Sequence, residues 1–127
     1  MFQKTILAGH IGKDAEMRYT PQGTAVSNFS MAVNSGWGDT KTTTWFRVTI
    51  WSKLAENLTQ YLTKGKLVLV EGELQPDPET GGPRIWTDTN GTTRASFEVT
   101  ARGIALLGDG SKPNDEKPEE ENSDIPF

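Results

Sequence analysis

Alternation of apolar and polar positions is clearest at residues 43–51, TTWFRVTIW. On the two-residue period of a β-strand, Trp45, Arg47, Thr49 and Trp51 fall on one face and Phe46, Val48 and Ile50 on the other. The second row is an ordinary buried face. The first mixes two indoles with a guanidinium and a hydroxyl. That combination suits a stacking platform turned to solvent or a ligand, and equally a second apolar layer or a subunit interface.

The same pattern predicts a strand at 2–11, where Ile6 and Ala8 alternate against Thr5, Leu7 and Gly9 with partial burial on both faces. Gly9 and Gly12 imply a bend or bulge nearby. Residues 13–19 are polar and end at the turn Thr20-Pro21-Gln22-Gly23. A strand at 24–34 sets Ala25, Phe29, Met31 and Val33 in one row against Asn28, Ser30 and Asn34. Residues 35–41, with glycines on both sides of Trp37, read as a hairpin loop into the 43–51 strand.

After Trp51 the period changes. Leu54, Leu58, Tyr61 and Leu62 fall at helical spacing within 52–64, with Ser52 as N-cap and Gly65 just past the end. KLVLVEGEL at 66–74 is a nearly unbroken apolar run, expected of a strand covered on both faces. QPDPETGGP at 75–83 is a loop, and 84–88 a short strand carrying Arg84 and Trp86 on one side. Asn90-Gly91 marks a tight hairpin, after which 94–106 returns with Phe97, Val99 and Ala101 inward and Glu98, Thr100 and Arg102 outward. One short helix between the third and fourth strands of an all-β chain is the layout of the OB-fold, a five-stranded Greek-key barrel.

Charge divides the 127 residues in two. The formal net charge of −4 combines a stretch at 108–127 with seven acids and two lysines and a body at 1–107 with ten acids and eleven bases. The expected organisation is one barrel domain at 1–107 followed by a disordered acidic tail at 108–127. With no cysteine and His10 the only histidine, thiolate metal sites and histidine triads within the chain are excluded, and no metal or other cofactor is expected. Glu71 and Glu73 share a strand face, yet no nucleophile or metal constellation accompanies them, so no catalytic residue is assigned and the chain is not read as an enzyme. No charged and apolar leader opens the chain and no run approaches a membrane span, which predicts a soluble protein that is not exported.

The candidate chemistry is aromatic and cationic. Trp45 and Trp51 on the central strand, Trp37 on the hairpin before it and Trp86 on the hairpin after the helix can line one groove, with Arg47, Lys53, Lys64, Arg84 and Arg94 as phosphate contacts. Stacking without base-edge readout suits single strands, because only an unpaired base exposes its face. A carbohydrate-binding module would also use tryptophan platforms, with less use for the arginines and none for the tail.

The segments ILAGHIGKDAEMRYTPQGTAVSNFSMAV, WFRVTIWSKLAENLTQYLTKGKLVLVEGEL, WTDTNGTTR and DIPF occur in the order and at the separations of bacterial-type single-stranded DNA-binding proteins, and the chain resembles that family. The resemblance implies that Trp37, Trp45, Trp51 and Trp86 stack bases. It further implies a homotetramer of single-barrel chains at work on DNA in the cytoplasm. Asp124, Ile125, Pro126 and Phe127 would dock replication, recombination and repair proteins through an aromatic side chain and adjacent carboxylates. The chain departs from the family in its long 75–83 loop and in its tail, which lacks a long glycine- or glutamine-rich linker.

Overall fold

The computed structural model describes residues 1–108. The acidic tail and the Asp124 to Phe127 tip lie outside the described residues. Among the described residues seven strands form, β1 (Thr5–Ile11), β2 (Glu16–Tyr19), β3 (Ala25–Ser35), β4 (Thr42–Trp51), β5 (Leu67–Leu74), β6 (Arg84–Thr87) and β7 (Thr93–Gly108), with one α-helix, α1 (Ser52–Leu58), between β4 and β5. Hydrogen bonding runs β1-β5-β7-β4-β3 and closes through β1 to β3, a five-stranded OB-fold barrel. β2 extends β3 and β6 extends β7 beyond the closed path. The helix occupies the expected connection, and only the extra strand β2 shifts the count.

Closure sets demands on particular residues. β1 pairs with β5 from Thr5 to His10 and with β3 at His10 and Ile11. Where the strands cross, the backbones come so close that a Cβ on Gly9 would stand 2.2 Å from the Ala32 carbonyl oxygen. Gly9 is therefore explained by close approach. β4 and β7 run parallel from Phe46↔Phe97 to Thr49↔Thr100, the one parallel pairing among the described strands.

Inside, Phe29 and Met31 of β3, Val48 and Ile50 of β4, Val68 and Val70 of β5 and Val99 of β7 are buried. The alternation predicted for 24–34 and 43–51 is present: odd positions of β3 and even positions of β4 point into the barrel. Ala55 and Leu62 are buried against this core, with Leu54 and Leu58 packed on it.

Seven expectations need correction. Residues 16–19 form a strand, all four exposed; β2 buries no apolar row and is held by its backbone pairing to β3. The helix is shorter than 52–64: α1 ends at Leu58 and a 3-10 turn, Thr59–Tyr61, follows. The Thr59 hydroxyl donates to the Ala55 carbonyl at 2.6 Å, a local bond that competes with continued α-geometry. Trp51, in extended conformation, is the N-cap, and Ser52 takes a left-handed backbone, φ 56°, at the corner between strand and helix. Gly65 sits in the turn to β5, at φ 89°, and donates to the Ile11 carbonyl.

The remaining corrections concern the barrel wall. β5 buries only one face: Val68 and Val70 are inside, while Leu69 is exposed beside Ala8 of β1. On β7, Val99 and Ala101 point inward as expected, but Phe97 in the same row is 54% exposed, because it stands at the barrel mouth. Thr100, expected outside, is buried under the start of the 75–83 loop, where its hydroxyl donates to Gln75 Oε1 at 2.6 Å.

Candidate nucleic-acid interface

The antiparallel register of β3 and β4 decides which side chains share the outer face. Trp45 lies opposite Ala32, Arg47 opposite Ser30, Thr49 opposite Asn28 and Trp51 opposite Val26. Each large or charged group of β4 thus faces a smaller residue, which leaves it room to spread over the sheet. Hydroxyl-to-amide bonds brace the same face: Thr49 donates to Asn28 Oδ1 at 2.9 Å and Thr43 to Asn34 Oδ1 at 2.6 Å. The Trp45 indole lies against the backbone of Gly12, where an added Cβ would come within 2.5 Å of Cζ3. Gly12 is the residue that leaves space for this ring.

Two clefts open on the face. One of about 440 Å³ is lined by Lys13, Arg18, Trp45, Phe46, Arg47 and Phe97 among others. A second of about 380 Å³ is lined by Arg18, Asn28, Arg47, Trp51, Arg84 and Glu98 among others. Arg18, Asn28 and Arg47 line both. Trp45 is 54% exposed and Trp51 44%, so neither indole is spent on a second core layer of this chain.

The β6–β7 hairpin adds a third indole and two tethered cations. Trp86 is 38% exposed, and its Nε1 donates to Ser96 Oγ at 3.0 Å, which fixes the ring beside a residue that lines the larger cleft. Arg84 approaches Glu98 at 3.4 Å, and Arg94 Nε donates to Asp88 Oδ2 at 2.7 Å. The Arg94 guanidinium, helped by the backbone N–H groups of Thr92 and Asn90, holds the Asp88 carboxyl below its ordinary value. This arrangement is complete above the ordinary carboxylate range and weakens as pH falls through the lowered value. An incoming phosphate must therefore share Arg84 and Arg94 with carboxylates, whereas Arg18 and Arg47 have no ion pair among the described residues.

The expected site residues do not all meet. Trp45, Trp51, Arg47 and Arg84 line the two clefts, and Trp86 and Arg94, directly paired across the hairpin, stand next to them. Trp37 is 86% exposed at the start of a 3-10 turn, Gly38–Thr40, where its N–H donates to the Thr40 hydroxyl and that hydroxyl donates back to its carbonyl. Lys53, on α1, and Lys64 are exposed and line neither cleft. The Lys64 N–H does bond Asp14 Oδ1, a residue at the edge of the larger cleft. Sequence reasoning missed Lys13, Arg18 and Phe97. The signal available for Arg18 was its position next to a glycine turn before the 24–34 strand, which permits a short pairing strand.

The model of the single-strand binding protein family matches residues 2–107, the whole barrel. The chain belongs to the single-strand binding protein family. Among its relatives are single-stranded DNA-binding proteins of Neisseria meningitidis serogroup A (strain Z2491) and serogroup B (strain MC58). Each is 37% identical over 123 residues, covering 93% of this chain and 67% of the relative. The fold of this family member is also that of a small single-stranded DNA-binding protein from Streptomyces coelicolor. That crystal structure has a TM-score of 0.68 and 24% identity, covering 83% of this chain and 94% of that one.

Proposed function

We propose that the chain binds single-stranded DNA with little sequence preference and without chemistry, covering strands exposed in replication, recombination and repair in the cytoplasm. The observation that carries this reading is the pair of half-exposed indoles, Trp45 and Trp51, with Arg47 between them on one strand face of a member of the single-strand binding protein family. An unpaired base offers a face to each ring, and Arg47 and Arg18, which line both clefts, supply cations for its phosphates. Trp37 and Trp86 extend the stacking surface, and Lys53, Lys64, Arg84 and Arg94 add phosphate contacts at its margins. Labelled oligo-dT should bind and an oligosaccharide should not. The logarithm of the binding constant should fall with the logarithm of salt by about 0.7 for each neutralised phosphate, so Arg18 and Arg47 alone give a slope of about −1.4. A flat salt response would refute the phosphate contacts.

Self-association into a homotetramer is the second part of the proposal. Ile6 and Leu69 are exposed on the outer wall of β1 and β5, with Ala8 paired to Leu69, an apolar patch suited to a second copy. Linked barrels raise the effective concentration of sites along one strand. Sedimentation equilibrium should give the mass of four chains; a single-chain mass would overturn this.

The third part concerns Asp124, Ile125, Pro126 and Phe127, which we assign to docking of replication, recombination and repair proteins. Burial of the Phe127 side chain supplies roughly 1.5–3 kcal/mol. Acidic neighbours add charge-assisted bonds to a basic rim, and several tails per assembly multiply a weak contact. Deletion of these residues should abolish partner capture from cell extract and leave oligo-dT affinity equal or slightly higher. Recovery of the same proteins by both forms would show the assignment wrong.

A further inference from the structure

The 75–83 loop and the exposed ring of Phe97 are two features that the stacking surface does not use. They belong together. Gln75 N–H donates to the Glu98 carbonyl at 2.7 Å and its side chain accepts from Thr100, so the loop is pinned to β7 at its base. Farther out it closes on Asp77. The Asp77 N–H bonds the Gly82 carbonyl at 2.8 Å, Gly81 N–H bonds the Asp77 carbonyl at 2.8 Å, and Glu79 N–H bonds Asp77 Oδ1 at 2.8 Å. The loop is thus a built structure with its own hydrogen bonds. Under it lies a cleft of about 200 Å³ walled by Leu74, Pro76, Pro83 and Phe97 and the backbones of Gly81 and Gly82.

Phe97 is the wall between this cleft and the one that holds Trp45. It lines both, as does Ser96, the acceptor for the Trp86 indole. Its ring packs on Phe46 with centroids 5.7 Å apart and planes tilted by 37°, which fixes its orientation. Cations stand to one side of it. Lys13, Arg18 and Arg47 line the cleft that holds Trp45, while the cleft under the loop is lined by Glu98, which Arg84 approaches at 3.4 Å, and by no cation among the described residues. An apolar slot that shares Ser96 and Phe97 with a cation-lined cleft can take a base whose neighbouring phosphate lies at Arg18 and Arg47. Its volume falls below the roughly 300–1,000 Å³ of pockets that take whole drug-sized molecules, and suits one ring system.

We propose that Phe97 is a further base-stacking residue and that the cleft under the 75–83 loop receives one unpaired base of the strand bound at Trp45. The inference rests on the single-strand reading given above and names a subsite within it. Because the loop is already closed, seating a base there does not require ordering the loop, and the subsite adds affinity without a large conformational cost.

The test has two arms. Oligo-dT carrying 5-iodo-deoxyuridine is irradiated on the full-length protein and the cross-linked peptide is sequenced by mass spectrometry; a cross-link at Phe97 is expected. In parallel, F97L, F97Y and W45A are titrated with oligo-dT, with fold checked by circular dichroism and assembly by sedimentation. F97L should bind about 5- to 150-fold more weakly, the range for one stacked base, and F97Y should restore affinity to within about twofold. Cross-links confined to Trp45 and Trp51 overturn the subsite. Wild-type affinity in F97L together with weakened W45A overturns the subsite alone, whereas unchanged affinity in both overturns the single-strand reading of the face. F97L that loses assembly mass while keeping its oligo-dT affinity assigns Phe97 to a contact between copies, which also overturns the proposal.

Discussion

Trp45→Ala lowers oligo-dT affinity by about 1–3 kcal/mol, roughly 5- to 150-fold, with the fold intact. The indole is half exposed and belongs to the outer row of β4, so its removal deletes a stacking surface without emptying the core. The ring rests on Gly12, whose missing Cβ leaves it room. Trp51→Ala changes affinity in the same direction. The electrostatic component is separate: Arg47 and Arg18 remain, so the slope of affinity against salt should stay that of the wild type while the whole line drops. Fluorescence anisotropy of labelled oligo-dT at several salt concentrations reads both quantities. An unchanged dissociation constant in a folded Trp45→Ala variant removes the platform from the mechanism.

The two faces of β4 were legible in the sequence because one row is uniformly apolar, the other carries a guanidinium and a hydroxyl among its indoles, and the strand is long enough for the period to repeat. The barrel followed from the order of elements and the helix at one connection. What periodicity does not carry is where a row of inward positions runs out of barrel. Phe97 shares its row with Val99 and Ala101, and only the pairing Phe46↔Phe97 at the mouth shows that its ring is open to solvent. β2 was invisible for a related reason. Its four residues are all exposed, and the hydrogen bonds that make it a strand come from β3, a tertiary fact. Without β2 in view, Arg18 had no address, although it joins Arg47 in both clefts.

Charge at the site was legible only as a count of cations. That Arg84 faces Glu98 and Arg94 faces Asp88 depends on the hairpin register Arg84↔Ser96 and Trp86↔Arg94. The exposed wall of β5 shows the opposite error. An apolar run suggested cover on both faces, yet the described residues supply cover only inside the barrel, and Leu69 is exposed on the outer wall. In both cases the residue types were informative and their partners were not.

Ile50→Ala is the expected result on the other face of the same strand. Ile50 is fully buried in the cluster with Val48, Val99 and Leu62, so truncation leaves a cavity and costs about 2–5 kcal/mol. Against the roughly 5–15 kcal/mol that holds a domain together, that is a large fraction. Urea unfolding followed by circular dichroism should show a lower midpoint with an unchanged slope, as for a loss of stability in an otherwise similar transition. Trp51, one residue on, points the other way, and Trp51→Ala should shift the midpoint far less than Ile50→Ala. Binding should show the reverse order: folded Ile50→Ala keeps near wild-type oligo-dT affinity, and Trp51→Ala does not. Because oligo-dT binds only the folded chain, a free concentration of 100 times the dissociation constant should return about 2.7 kcal/mol to Ile50→Ala and move its midpoint back toward the wild type. If Trp51→Ala proved the more destabilising of the two while oligo-dT affinity held, the indole row would be packing and the aliphatic row the working face, and the division of β4 argued from its alternation would be inverted.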